Sequence, residues 1–167
     1  MPEVVIVNGP PAAGKTSVTA ALRALLPGTV AISGDALRAF APADVRTHLA
    51  GGATYRVAGA LSRAYLELGA ARVIFDYTCL RPAHFRYFSE ALPTGVTTMI
   101  FTLWPPLETL LSRESGAPRQ GKGAAECRRE MAQNLASMGE VLDSGELSPE
   151  LVARIIHDRC LVVAPHM

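Results

Sequence analysis

The chain has 167 residues, 49% of them hydrophobic and 19% charged, with a formal net charge of +1. That length and apolar content suit one domain, spanning residues 1–167, with a core of its own, and they exclude a disordered chain. A charge so near zero gives no general attraction to nucleic acid or to an anionic membrane surface. The three widely spaced cysteines, without a CxxC pair, fit neither a disulfide frame nor a zinc site.

The first predicted element is a strand at residues 3–8, EVVIVN, which runs into the loop GPPAAGKT at 9–16. A helix over 15–26 follows, closed by Pro27 and Gly28. The second strand, TVAIS at 29–33, leads into SGDALR and the start of a short helix. Between it and the third strand, RVIFD at 72–76, lie a segment at 39–59 and, overlapping it, a helix at 54–68. Segment 39–59 offers Arg46, His48, Tyr55 and Arg56 to an acceptor. Then come a helix at 82–92, a strand at 96–103 and a helix at 107–113. A stretch rich in Gly and basic residues at 110–130 overlaps a helix at 124–138. A weaker strand at 139–143 and a helix at 149–159 finish the chain.

Four of the five strands are nearly continuous apolar runs, as expected of strands covered on both faces. Their alternation with helices predicts an α/β fold with a parallel sheet, right-handed crossovers and helices on both sides. In such sheets ligands gather at the carboxyl ends of the strands. No apolar run approaches the ~18 residues of a membrane span. Glu3 stands where a secretory signal would be basic. Together these lead us to expect a cytoplasmic protein.

Gly9-x-x-x-x-Gly14-Lys15-Thr16, after an apolar strand and before a helix, is the phosphate-binding P-loop pattern in its required context. Glycines let the backbone turn and approach an anion closely. Pro10 and Pro11 lack an N–H, so the phosphate-facing donors come mainly from Ala12 onward. The first helical turn adds unpaired N–H groups and the positive end of its dipole. The predicted nucleotide cradle is Gly9, Pro10, Pro11, Ala12, Ala13, Gly14, Lys15, Thr16 and Ser17. Lys15 is expected on the β- and γ-phosphates, and Thr16 on Mg²⁺.

The remaining motifs choose among P-loop activities. A GTPase needs an Asn/Thr-Lys-x-Asp guanine reader, and neither Lys15 nor Lys122 sits in one. A motor ATPase ends a later strand in an acidic pair; here VIFDYT places Tyr77 where the second carboxylate would stand. Asp76 alone fits a contact to Mg²⁺ without a hydrolytic base. Asp35, just past the second strand, is the candidate general base for an acceptor hydroxyl. Arg38, three residues on, is a candidate for holding substrate or the transferring phosphate. Over about 113–124 a lid is expected to bring Arg113, Arg119 and Lys122 to the triphosphate and exclude water.

With VNGPPAAGKTSV, SGDALR, VIFDYTCLRPAHFRYFSEAL, FTLWPPLETLLSRESGAPR and EVLDSGELSPELVARI on the page, most of the chain resembles a group of small P-loop kinases. The group includes chloramphenicol phosphotransferase, gluconate kinase, zeta-toxin-like kinases and the kinase domain of polynucleotide kinase. The resemblance implies a three-layer P-loop NTPase fold with strand order 2-3-1-4-5, a mobile lid, ATP and Mg²⁺ as cofactors, and Asp35 as base. It implies that SGELSP at 144–149 cradles the adenine. Two departures stand out. Several relatives carry Asp-x-Asp where this chain has Ser33-Gly34-Asp35, and polynucleotide kinases often carry an Asp-x-Thr-Asn-like run where it has Asp76-Tyr77-Thr78-Cys79. The expected activity is transfer of the γ-phosphoryl group of ATP to a small-molecule hydroxyl, on an antibiotic-like compound, a sugar acid or a nucleoside. A polynucleotide 5′-hydroxyl kinase and a non-catalytic ATP-binding switch are the alternatives.

Overall fold

The first strand, β1 (Val4–Asn8), is apolar up to its last residue and buried along its whole length, which makes it the centre of the sheet. The computed structural model describes residues 1, 3–48, 52–114 and 122–162. Around β1 pair β2 (Thr29–Ser33), β3 (Arg72–Asp76), β4 (Thr98–Leu103) and β5 (Glu140–Leu142), all parallel, in the order β2-β3-β1-β4-β5. This is the strand order that the resemblance implied. The helices are α1 (Lys15–Leu25), α2 (Gly34–Ala39), α3 (Ala43–His48), α4 (Ala53–Glu67), α5 (Pro82–Ser89), α6 (Leu107–Glu114), α7 (Ala124–Ala132) and α8 (Pro149–Val162).

Alternation along β1 sorts the core into two layers. Val5 and Val7 join a cluster with Val18 and Leu22 of α1, Leu110 of α6 and Val152 and Ile156 of α8. On the other face Val4 and Ile6 meet Tyr55 and Ala58 of α4, Phe85 and Phe88 of α5 and Met131 of α7. Phe75 and Phe88 stack there with centroids 5.0 Å apart, a pair worth about 1 kcal/mol beyond the area it buries.

Two local readings differ from the sequence pattern. The helix expected over 124–138 stops at Ala132, and a 3₁₀ turn (Leu135–Ser137) follows. Asn134 and Ser137 donate to the carbonyls three residues back, at 3.0 and 2.8 Å, so the chain tightens instead of continuing as an α-helix. The short α3 went unread, although Pro42 before it and Asp44 in its first turn are start signals.

Parallel pairing sets the strand ends in one row. Asp76 lies opposite Val7 on one side and Ser33 on the other. The P-loop, the start of α2 and the segment after β3 therefore meet at the same edge. Buried Asn8 ties that edge together: its Nδ2 donates to Thr102 Oγ1 (3.0 Å), and its Oδ1 accepts from the Cys79 N–H (2.8 Å). Thr102 in turn donates to the Met138 carbonyl at 2.6 Å. The buried side chains of Asn8 and Thr102 thus have partners, and the β3 loop is fastened to β1 and β4.

Candidate active site

The P-loop is a tight turn held from inside. Gly9 has φ +150°, and a side chain there would come within 2.8 Å of the Leu103 carbonyl. Ala12 is left-handed at φ 63°, a conformation that costs an ordinary residue about 1 kcal/mol or more. Gly14 caps α1 at φ 91°. Lys15 Nζ donates to the carbonyls of Gly9 and Pro10, both at 3.0 Å, and Thr78 Oγ1 donates to Gly9 O at 2.9 Å. The Lys15 ammonium and the first turn of α1, with Thr16 and Ser17 exposed, are thus gathered at one point. Such a concentration of positive charge and N–H donors suits an anion.

Beside it opens a cavity of about 530 Å³ lined by Pro11, Lys15, Asp35, Arg38, Tyr55, Tyr77, Thr78, Leu80, Lys122 and Cys127. Ser33 caps α2 by accepting from the Ala36 N–H at 3.4 Å, which leaves Asp35 in the first turn, facing the cavity. Capping and the cavity-facing carboxylate therefore coexist. Asp76 is buried nearby, and burial pushes its carboxyl up to about 6, against the pull of Lys15 and with a small push from Asp35.

Tyr77 is packed so closely on Gly34 that a Cβ there would stand 2.2 Å from its ring. Its hydroxyl accepts from Arg38 Nη1 at 3.1 Å, and burial raises the phenol pKa, so Tyr77 is neutral at physiological pH. Tyr55 donates to the Thr78 carbonyl at 2.9 Å and stacks on His84, with centroids 4.2 Å apart. The Leu80 N–H donates to His84 Nδ1 at 3.0 Å, while burial and the neighbouring Arg81 lower the imidazole pKa. His84 is therefore neutral, with its proton on Nε2, and backs the Tyr55 ring that lines the site. Cys79 and Cys127 are buried, and burial raises both thiol pKa values, which disfavours the nucleophilic thiolate.

The predicted lid residues fall in different places. Lys122 lines the large cavity and is ion-paired to Glu130, with Glu126 3.8 Å away. Glu130 also holds Arg81 at 2.7 Å. Arg113 donates to the Gly145 carbonyl at 3.0 Å and lines a second cavity of about 250 Å³ with Ala13, Gly14, Ser17, Val18, Ser144, Leu147, Pro149 and Val152. Its walls include three residues of the SGELSP segment and the back of the P-loop. Arg119 lies outside the described residues, as do Gly116 and Gly121. Sequence reasoning missed the Tyr77–Arg38 pair and the bridge through Glu130, since both join residues far apart in the chain. Asn8 was findable: a polar residue ends an apolar strand just before the loop.

A strand–P-loop–helix unit, with a parallel sheet ordered around it, decides the kinship. Residues 4–140 match the AAA_33 family, described as an AAA domain. The chain belongs to the AAA_33 family. Among curated proteins, none matches the sequence. Solved structures that resemble this AAA_33 protein include a sugar kinase from Janibacter sp. HTCC2649, 18% identical, with a TM-score of 0.66, covering 99% of this chain and 100% of that one. A tunicamycin resistance protein from Deinococcus radiodurans is 20% identical, with a TM-score of 0.68 and 94% of each chain covered. Shikimate kinase from Acinetobacter baumannii, in complex with shikimate, is 18% identical, with a TM-score of 0.65 and coverage of 99% and 96%. At these identities the likeness is one of fold, and the fold is that of small P-loop kinases. Among the described residues, no helix of the AAA_33 chain is long and apolar enough to cross a membrane.

Proposed function

We propose that this AAA_33 protein is an ATP-dependent phosphotransferase that moves the γ-phosphoryl group onto a hydroxyl of a small molecule. The observation that carries the reading is the single cavity in which the P-loop Lys15 and the carboxylate of Asp35 face common space. Asp35 accepts the proton of the acceptor hydroxyl as that oxygen bonds to the γ-phosphorus. The bond from phosphorus to the β–γ bridging oxygen breaks, and ADP leaves with that electron pair. Lys15 leaves its two loop carbonyls to neutralise the phosphate oxygens, and Arg38 supplies a second positive charge on the acceptor side. Arg113 and the walls of the smaller cavity hold the base and ribose end. Lys122, in the wall of the larger one, adds positive charge on the phosphate side.

Thr16 and Asp76 are the residues that would hold Mg²⁺, which when bound shields the charge on the β- and γ-phosphate oxygens. The donors fit that ion: a hydroxyl and one carboxylate are hard oxygen ligands. Mg²⁺ at phosphate sites takes one or two carboxylates and completes its shell with phosphate and water. A buried carboxylate whose pKa is pushed up is also one that a nearby cation would relieve.

The activity is tested by following ADP release with ATP and a panel of small hydroxyl compounds. The reading expects acceptor-dependent release over a low background of hydrolysis, with Lys15→Met losing nucleotide binding. Release that no hydroxyl compound stimulates, together with a nucleotide-dependent change of oligomeric state, would favour a switch protein instead.

A further inference from the structure

We infer that Thr78 is a positioning residue for the nucleotide: its hydroxyl holds the Gly9 carbonyl while Lys15 moves from the loop onto the phosphates. The inference rests on the phosphotransferase reading and starts from what Lys15 leaves behind. Its Nζ donates to the carbonyls of Gly9 and Pro10, both at 3.0 Å, and both residues are buried. A buried carbonyl that loses its donor carries a desolvation penalty, which would count against binding. Here each of the two already has a second donor. The Ala13 N–H reaches the Pro10 carbonyl at 3.2 Å, and Thr78 Oγ1 reaches the Gly9 carbonyl at 2.9 Å. A carbonyl oxygen has two lone pairs, so both donors fit at once and departure of the lysine strands neither oxygen. The first of these bonds is a turn within the loop itself. The second comes from the segment after β3, 69 positions along the chain.

Thr78 is itself fixed in place. The Tyr77 N–H donates to the Val7 carbonyl at 3.3 Å, and the Cys79 N–H donates to Asn8 Oδ1 at 2.8 Å. From α4, the Tyr55 hydroxyl donates to the Thr78 carbonyl at 2.9 Å. Residues 77 to 79 thus lie in step against Val7, Asn8 and Gly9. A β-branched side chain has few choices at χ1, so the hydroxyl is placed before any ligand arrives. Thr78 and Lys15 line the same cavity, which puts the exchange at the edge where phosphates enter. The tie also fixes a direction. A Gly9 carbonyl held by Thr78 is not free to turn toward an anion, so the loop presents N–H groups there instead. Gly9, at φ +150° and without a side chain, has little of its own to resist such a turn.

Thr78→Val keeps the shape and deletes the donor, whereas Thr78→Ser keeps the donor. The full-length proteins are titrated by calorimetry with ADP in the presence of Mg²⁺, and with tripolyphosphate, which carries phosphates and no base. We expect Thr78→Val to weaken both ligands about 3- to 10-fold, the size of one neutral hydrogen bond, and Thr78→Ser to recover most of the loss. Lys15 still holds the Gly9 carbonyl when no nucleotide is bound, so nucleotide-free Thr78→Val should melt within about 3 °C of wild type. A merely structural role predicts the opposite pattern, a lower melting point with unchanged affinities. Thr78→Ala, read in the same way, covers the case of a valine that fails to pack. Affinities within about twofold of wild type overturn the inference. So does a loss for ADP that tripolyphosphate does not share, or a serine variant as weak as the valine one. Each of these results leaves the kinase reading standing. Failure of the wild type to bind ADP sinks both.

Discussion

Replacing Asp76 with Asn exposes a conflict between stability and function at the strand edge. Folding moves this carboxyl from its ordinary value of 3.8 to about 6, chiefly because burial penalises its charge. A group that binds its proton more tightly in the folded state makes the protein more stable as pH falls through that window. Above pH 6 the charged form opposes folding. The full shift corresponds to about 3 kcal/mol at pH 7, and partial solvent screening reduces this to about 1.5 kcal/mol. Asn keeps the shape and removes the charge, and Lys15 retains the Gly9 and Pro10 carbonyls as partners. Nucleotide-free Asp76→Asn protein should therefore melt about 3–6 °C above wild type near pH 7.5. The gap should close as pH approaches about 4, where Asp76 is largely protonated in the folded wild type. Thermal melts followed by circular dichroism, without divalent ions, read this directly. A variant that melts below wild type at pH 7.5, or a gap that does not depend on pH, would refute the reasoning. Transfer activity should be lost in the same variant, since Asp76 is the proposed partner of Mg²⁺.

Asp35→Asn should lower transfer about 10²- to 10⁴-fold and leave ADP affinity within about threefold, measured by calorimetry alongside turnover; a fully active variant excludes the base assignment. Gly34→Ala forces the Tyr77 ring aside, because the new methyl would lie 2.2 Å from it. We expect a loss of about 1–3 kcal/mol in denaturant unfolding, with acceptor KM rising as Arg38 loses its anchor. Asn8→Ala strands the Cys79 N–H in the core while Thr102 keeps its bond to the Met138 carbonyl, which should lower stability by about 1–3 kcal/mol, or about 2–12 °C in Tm.

The architecture was legible because it is written in local patterns. Apolar runs marked β1, β3 and β4, and the Gly9–Thr16 loop anchored the first crossover. The family resemblance then gave the strand order that the sheet shows. Boundaries slipped where short-range hydrogen bonds beat periodicity, as after Ala132. At the site, Lys15, Asp35 and Arg38 could be named because each stands beside a strand end. What sequence could not show was how partners divide among the charges. Whether Arg113 serves one cavity or another depends on the Gly145 carbonyl, 32 positions away. That Tyr77 steadies Arg38 depends on the missing side chain of Gly34, a space that no spacing rule describes.

The two apolar layers on either side of β1 also bear on how such a protein diversifies. Val5 and Val7 belong with the helices that wall the smaller pocket, while Val4 and Ile6 belong with α4 and α5, whose Tyr55 walls the larger one. Under the proposed phosphotransferase reading, residues on the second layer can drift toward new acceptors while the first layer keeps the proposed nucleotide end. One scaffold can thus explore many acceptors without renegotiating its fuel.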